Sequence, residues 1–270
     1  MKFGICNEIF KEWNDIGKTI DYVKSVGYDG IEIAPFTLSK YVTDIPAAAR
    51  ENIVKRANQA ELDVLGIHWV LVGPDGLHIN SPDKSVREKT AQYLIDLAHF
   101  CGDVGGKVMI FGSPKQRNIH DSLTYDQAFD YTVEAFEKAL PTCEARGVTI
   151  CMEPLSRNET NFCQTAEETV GLIERINHPN FRLLLDTKAM TDDKEDRPVL
   201  IKKFARHLAH YHANDANLEG PGFGDVDFGP IFQSLREVSY QAYVSVEVFI
   251  FDRGPEAIAE KSLKYMKQFI

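Results

Sequence analysis

Four side chains in the second half of the sequence each close an apolar run. Glu153 ends Val-Thr-Ile-Cys-Met-Glu, Asp186 ends Arg-Leu-Leu-Leu-Asp, His212 ends His-Tyr-His, and Glu247 ends Tyr-Val-Ser-Val-Glu. Packing does not explain an acid at the end of a β-branched run. Pro154 follows Glu153 at once, and proline, with no N–H and a fixed φ, stops a strand there and releases the carboxylate into a loop. Three carboxylates and one neutral imidazole form an oxygen-rich donor set with a single nitrogen. It suits one divalent ion, Mn2+ first, then Mg2+ or Co2+, with Zn2+ as an alternative. Any one of these acids alone reads as a solvated strand end. All of them brought to one place would repel strongly without a cation.

The elements that must position them alternate along the chain. Strands are expected at Lys2–Cys6, Gly30–Ala34, Asp63–Val70, Gly106–Phe111, Val148–Glu153, Arg182–Asp186, His210–Ala213 and Tyr243–Phe249. Helices are expected at Ile16–Val26, Ala47–Ala60, Ser81–Phe100, Leu123–Arg146, Ala166–Ile176, Pro198–Leu208, Ile231–Val238 and Pro255–Ile270. Strands alternating with helices argue for parallel βαβ units, and eight pairs in about 250 residues is the count of a (β/α)8 TIM barrel. A doubly wound sheet would carry a Gly-rich phosphate turn after its first strand, and none follows Cys6. One TIM-barrel domain over residues 1–270 is the expectation. In such a barrel the C-terminal strand ends share one mouth, so four consecutive strands would each deliver one of the four groups.

Composition sets outer limits. The net charge of −10 disfavours nucleic acid and anionic membrane as partners. The five cysteines are odd in number and scattered, without CxxC spacing, so they read as core residues of a reduced protein. The N-terminal Met-Lys-Phe-Gly-Ile-Cys-Asn-Glu opens a strand and has no signal-peptide core, so a cytoplasmic location is expected. A small-molecule substrate is the expected partner. Pairing into a homo-oligomer through the outer helices is possible, but no patch in the sequence demands it.

The stretch Glu153-Pro-Leu-Ser-Arg-Asn-Glu-Thr-Asn, with Leu-Leu-Leu-Asp186 and His210-Tyr-His212, resembles the xylose isomerase-like barrels, and within them the ketose 3-epimerases. The resemblance covers the whole barrel order. It implies Glu153, Asp186, His212 and Glu247 as metal ligands, Glu153 and Glu247 also as the acid/base pair, and Glu159 as a substrate contact. It implies a metal-dependent isomerase or epimerase of a small ketose or sugar-derived keto compound, working through an enediolate. Two positions depart from the pattern. Ala189 stands where these epimerases place a substrate-binding histidine, and Leu218 where they place an arginine.

Other residues near the mouth carry expectations of their own. His68 is divided between substrate contact and packing, and His210, one layer below His212, is expected to be a hydrogen-bonded interior histidine. Lys115, Arg117 and Lys188 are cations that could receive a carboxylate or phosphate. Trp69 and Phe249 could wall a sugar pocket. Asp215 could bond a ligand or orient His212. Alternative readings keep the barrel and change its use. They are a lyase or dehydratase that expels a β-hydroxyl group, a catalytically silent sugar-binding barrel, and an apurinic-site endonuclease, which the negative charge disfavours.

Overall fold

The computed structural model describes residues 1–270, the side chain of Asp192 excepted. Its eight strands are β1 (Lys2–Cys6), β2 (Gly30–Ile33), β3 (Asp63–Ile67), β4 (Val108–Phe111), β5 (Thr149–Met152), β6 (Phe181–Asp186), β7 (Leu208–Ala213) and β8 (Tyr243–Val246). They pair in parallel in chain order, and β1 also pairs with β8, which closes the barrel. The outer ring is α1 (Ile16–Val26), α2 (Ala47–Ala60), α3 (Lys84–Asp103), α4 (Tyr125–Arg146), α5 (Ala166–Ile176), α6 (Arg197–Lys203), α7 (Phe228–Glu237) and α8 (Pro255–Met266). Among the described residues no helix is long and apolar enough to cross a membrane.

Local chemistry sets the boundaries. Asp15 and Thr165 accept the N3 backbone N–H of α1 and α5. Thr124 and Gln127 form a reciprocal capping box at the start of α4. Gly27 and Gly147 end α1 and α4 at positive φ. Helix α6 stops at Lys203, short of the expected Leu208, because Leu208 already belongs to β7. Four strands end earlier than the apolar runs suggest: β2 at Ile33, β3 at Ile67, β5 at Met152 and β8 at Val246. The Glu153 and Glu247 N–H groups still donate to Phe111 O and Ala213 O, at 3.1 and 3.3 Å, so both residues are held by the ladder while lying one step outside it.

The main apolar core lies between barrel and helices; on α7 it takes Phe228, Ile231, Phe232 and Leu235. Each such side chain stabilises the fold by about 1.5–3 kcal/mol through burial. Inside the barrel the packing is divided. Ile110, Cys151 and Leu184 form a small apolar plug. Cys6, Glu32, His210, His212 and Ser245, all buried, occupy the β1–β2 and β7–β8 side. The wall is tight towards the lower end: a Cβ on Gly66 would lie 1.9 Å from Val108 O, so only glycine fits there. All five cysteines are free and buried, as the sequence suggested.

Candidate metal centre and substrate pocket

The strand exits of β5 to β8 bring Glu153, Asp186, His212 and Glu247 together at the mouth. One ligand atom from each lies within 4.8 Å of those of the other three. Asp186 is oriented by two donors: Ala189 N–H to Oδ1 at 2.7 Å and Asn214 Nδ2 to Oδ2 at 2.5 Å. His212 stands between two carboxylates, with Nδ1 3.0 Å from Glu247 Oε2 and Nε2 3.3 Å from Glu32 Oε2. Trp69 Nε1–H donates to Glu247 Oε1 at 2.8 Å. Among the described residues no side chain donates to the Glu153 carboxylate, whereas its main-chain carbonyl accepts from Arg117 at 2.6 Å.

These environments push the four groups apart. Burial, reinforced by the Glu247 and Asp186 charges, drives the Glu153 carboxyl well above the usual range. Burial also raises Asp186, against the pull of Lys188. Burial acts on Glu247 in the same direction, but the charge and hydrogen bond of His212 prevail and hold it below the usual carboxylate range. His212 is raised well above the usual histidine value, because Glu247 and Glu32 outweigh its desolvation. Such a set fits a divalent ion on its chemistry: three buried carboxylates converge with an imidazole nitrogen, and their mutual repulsion calls for a cation.

Beside this set lies a cavity of about 410 Å³, lined by Trp69, Glu153, Glu159, Lys188, Glu247 and Phe249 among others. Trp69 and Phe249 form an aromatic wall, with ring centroids 6.3 Å apart. Lys188 Nζ lies 2.6 Å from Glu159 Oε1 and 4.2 Å from the Phe249 centroid. Ser156 Oγ donates to Glu159 Oε2 at 2.7 Å. A cavity of about 480 Å³ at the opposite end of the barrel contains none of the four converging groups.

Several sequence expectations need correction. Arg117 is fully buried, and its guanidinium bonds the carbonyls of Glu153 and Cys163, so it braces a loop and is not open to a substrate anion. Lys188 is paired with Glu159, so it meets a ligand as half of an ion pair. Lys115 is exposed at the cavity rim. Asp215 accepts from Ala216 N and Val226 N at 2.8 and 3.3 Å; it folds the β7–α7 loop and does not reach His212. His68 is fully buried, with Nε2 2.6 Å from Glu8 Oε2, and does not line the cavity. His210 is the interior histidine expected of it, bonded to Glu32 at 2.6 Å. Of the two departures, Ala189 is buried under Asp186, and Leu218 is 38% exposed at φ 70°, its carbonyl accepting from Phe249 and Ile250 N–H.

Sequence reasoning missed Glu8, Glu32 and Asn214, and took Trp69 only as a wall. Glu32 had a signal: an acid between two isoleucines inside a strand has no packing reason to be there.

A closed barrel with an acid-rich donor set at the C-terminal strand ends defines a barrel enzyme with its site at that mouth. The chain belongs to the xylose isomerase-like TIM barrel family, whose model matches residues 20–269. It is 26% identical to a D-psicose 3-epimerase of Ruminiclostridium cellulolyticum over 267 residues, covering 93% of this chain and 84% of the relative. Its fold matches an L-ribulose 3-epimerase with a TM-score of 0.85 at 22% identity, covering 99% and 94% of the two chains. A 3-keto-D-glucoside 4-epimerase from E. coli in its apo form gives 0.84 at 20% identity and 99% of both chains.

Proposed function

We propose that the protein is an epimerase of a ketose or keto-sugar, dependent on one divalent ion, Mn2+ first, held by Glu153, Asp186, His212 and Glu247. The observation that carries this reading is the convergence of those four groups within 4.8 Å, two of them glutamates on the wall of a substrate-sized cavity. The epimerases among its relatives support the reaction type.

When bound, the ion supplies Lewis-acid chemistry, acidifying the C–H beside a substrate carbonyl. Epimerisation removes that proton from one face and returns one to the other, so it needs two acid/base groups. Glu153 and Glu247 follow strands three places apart around the ring, and approach a substrate in the cavity from different sides. Glu247, whose carboxylate accepts from the Trp69 indole, takes the proton. Glu153, on the wall of the same cavity, delivers one to the opposite face. In the reverse direction the roles exchange. Trp69 and Phe249 cover the apolar faces of the sugar, and the Glu159–Lys188 pair offers an acceptor beside a donor for its hydroxyls.

The test is incubation in heavy water of the Mn2+-loaded protein with a panel of ketoses and keto-glycosides. Deuterium at the carbon next to the carbonyl, together with the epimer, is the expected result. Product short by one water would replace epimerisation with dehydration. No exchange with any compound at full metal occupancy would sink the reading.

A further inference from the structure

Beneath the four converging groups, Glu32 makes two contacts that the epimerase reading does not use. Its side chain is fully buried in β2, and each oxygen faces a different imidazole of β7. Oε1 is 2.6 Å from His210 Nε2, and Oε2 is 3.3 Å from His212 Nε2. The next nitrogen, His68 Nδ1, is 3.9 Å away. A carboxylate buried this deeply must be matched by donors, and those facing it are imidazole N–H groups.

A neutral imidazole carries one N–H. If Glu32 takes it at Nε2 of His212, the lone pair is left at Nδ1, the atom that faces Glu247 and the rest of the ligand set. We propose that Glu32 is a positioning residue that fixes His212 as an Nδ1 ligand, and that it does so for His212 and His210 together because both of its oxygens accept. This rests on the four groups holding a divalent ion, and on nothing about the sugar.

Glu32→Gln keeps the shape and breaks the logic. An amide has one accepting oxygen and one donating nitrogen, so it cannot accept from both histidines, and one of them must move its proton. Where that is His212, the Nδ1 lone pair is lost to the ion. Outer partners of ligating histidines commonly control metal affinity by roughly 10–100-fold. The companion change His210→Gln removes the conflict. An amide at position 210 can turn its own carbonyl to the amide nitrogen at position 32, which leaves the oxygen at position 32 free to accept from His212.

The experiment is titration of the full chain with Mn2+ by calorimetry, for wild type, E32Q and E32Q/H210Q. Folding is checked by circular dichroism, and ring 15N spectra are recorded on Mg2+-loaded, histidine-labelled samples. The expected results are a dissociation constant raised roughly 10–100-fold in E32Q, most of it recovered in the double variant, and an Nε2–H on His212 of the wild type. Wild-type affinity in folded E32Q would overturn the proposal. So would a double variant as weak as the single one, since the loss would then be one of charge or packing. A wild type that binds Mn2+ but exchanges no sugar proton would end the epimerase reading and leave this one standing. A wild type that takes up no Mn2+ would end both.

Discussion

The exits of β5 and β8 present the same residue type at the same depth, and they are built in opposite ways. Glu153 and Glu247 are each 5% exposed and each one step past their strand. At β5 the main chain is held: Arg117, itself buried, bonds the Glu153 carbonyl, while the carboxyl is left to its repelling neighbours. At β8 the side chain is held by the Trp69 indole, with His212 Nδ1 3.0 Å from its other oxygen. One glutamate is therefore inclined to keep a proton and the other to shed it. Two like groups whose surroundings push them apart can serve as acid and base in one reaction.

The largest effect should come from erasing either member. Glu153→Gln and Glu247→Gln are each expected to lower kcat/KM for epimerisation by about 10²–10⁴-fold, the usual range for an acid/base group. A variant that kept near wild-type turnover would show that one glutamate suffices and would break the division of roles.

Next come the supports, which should fail differently. Arg117→Met leaves the buried Glu153 carbonyl without its side-chain donor, while Cys163 O keeps the Leu155 N–H, and is expected to cost about 1–3 kcal/mol of stability by denaturant unfolding. Trp69→Phe removes one hydrogen bond to a charged group, worth about 1.5–3 kcal/mol, so kcat/KM should fall roughly 10–100-fold with little loss of stability. The reverse pattern, Arg117→Met catalytically poor but stable, would show that Arg117 serves the substrate after all.

The ion-free protein should respond to pH with a definite sign. Glu153 and Asp186 titrate above their ordinary values of 4.5 and 3.8 in the folded state. Their contribution is fully present below those values and is lost as pH rises through the raised ones. Glu247, lowered, changes only below its ordinary value of 4.5 and is flat across the neutral range, while His212, raised, adds a loss of the same sign as Glu153 and Asp186. The thermal midpoint without metal is expected to fall between about pH 5 and about pH 8, and saturating Mn2+ should remove most of the fall. A midpoint that stays level or rises over this interval would show that Glu153 and Asp186 do not titrate above their ordinary values in the folded protein.

The smallest effect belongs to Lys115. Exposed at the rim, its replacement by alanine should change stability by no more than about 0.5 kcal/mol, and kcat/KM for an uncharged ketose should stay near the wild-type value.

The order of eight strand–helix pairs and the four converging strand-exit groups could be read from the chain itself. Both follow from local signals: apolar period, a proline or glycine at boundaries such as Pro154, Gly27 and Gly147, and an acid where packing offers no reason for one. Strand ends were off by a few residues, because apolar runs continue past the point where neighbours stop pairing, as at Val70 and Phe249. The closed barrel alone decided the rest. It joins Trp69 to Glu247 across 178 positions, seats Glu32 under His212, and turns Arg117 inward onto a carbonyl. These contacts depend on which strands become neighbours when β8 meets β1, and no local pattern of residues encodes that distance. The sequence set out the converging groups; closure of the ring decided which way each would be held.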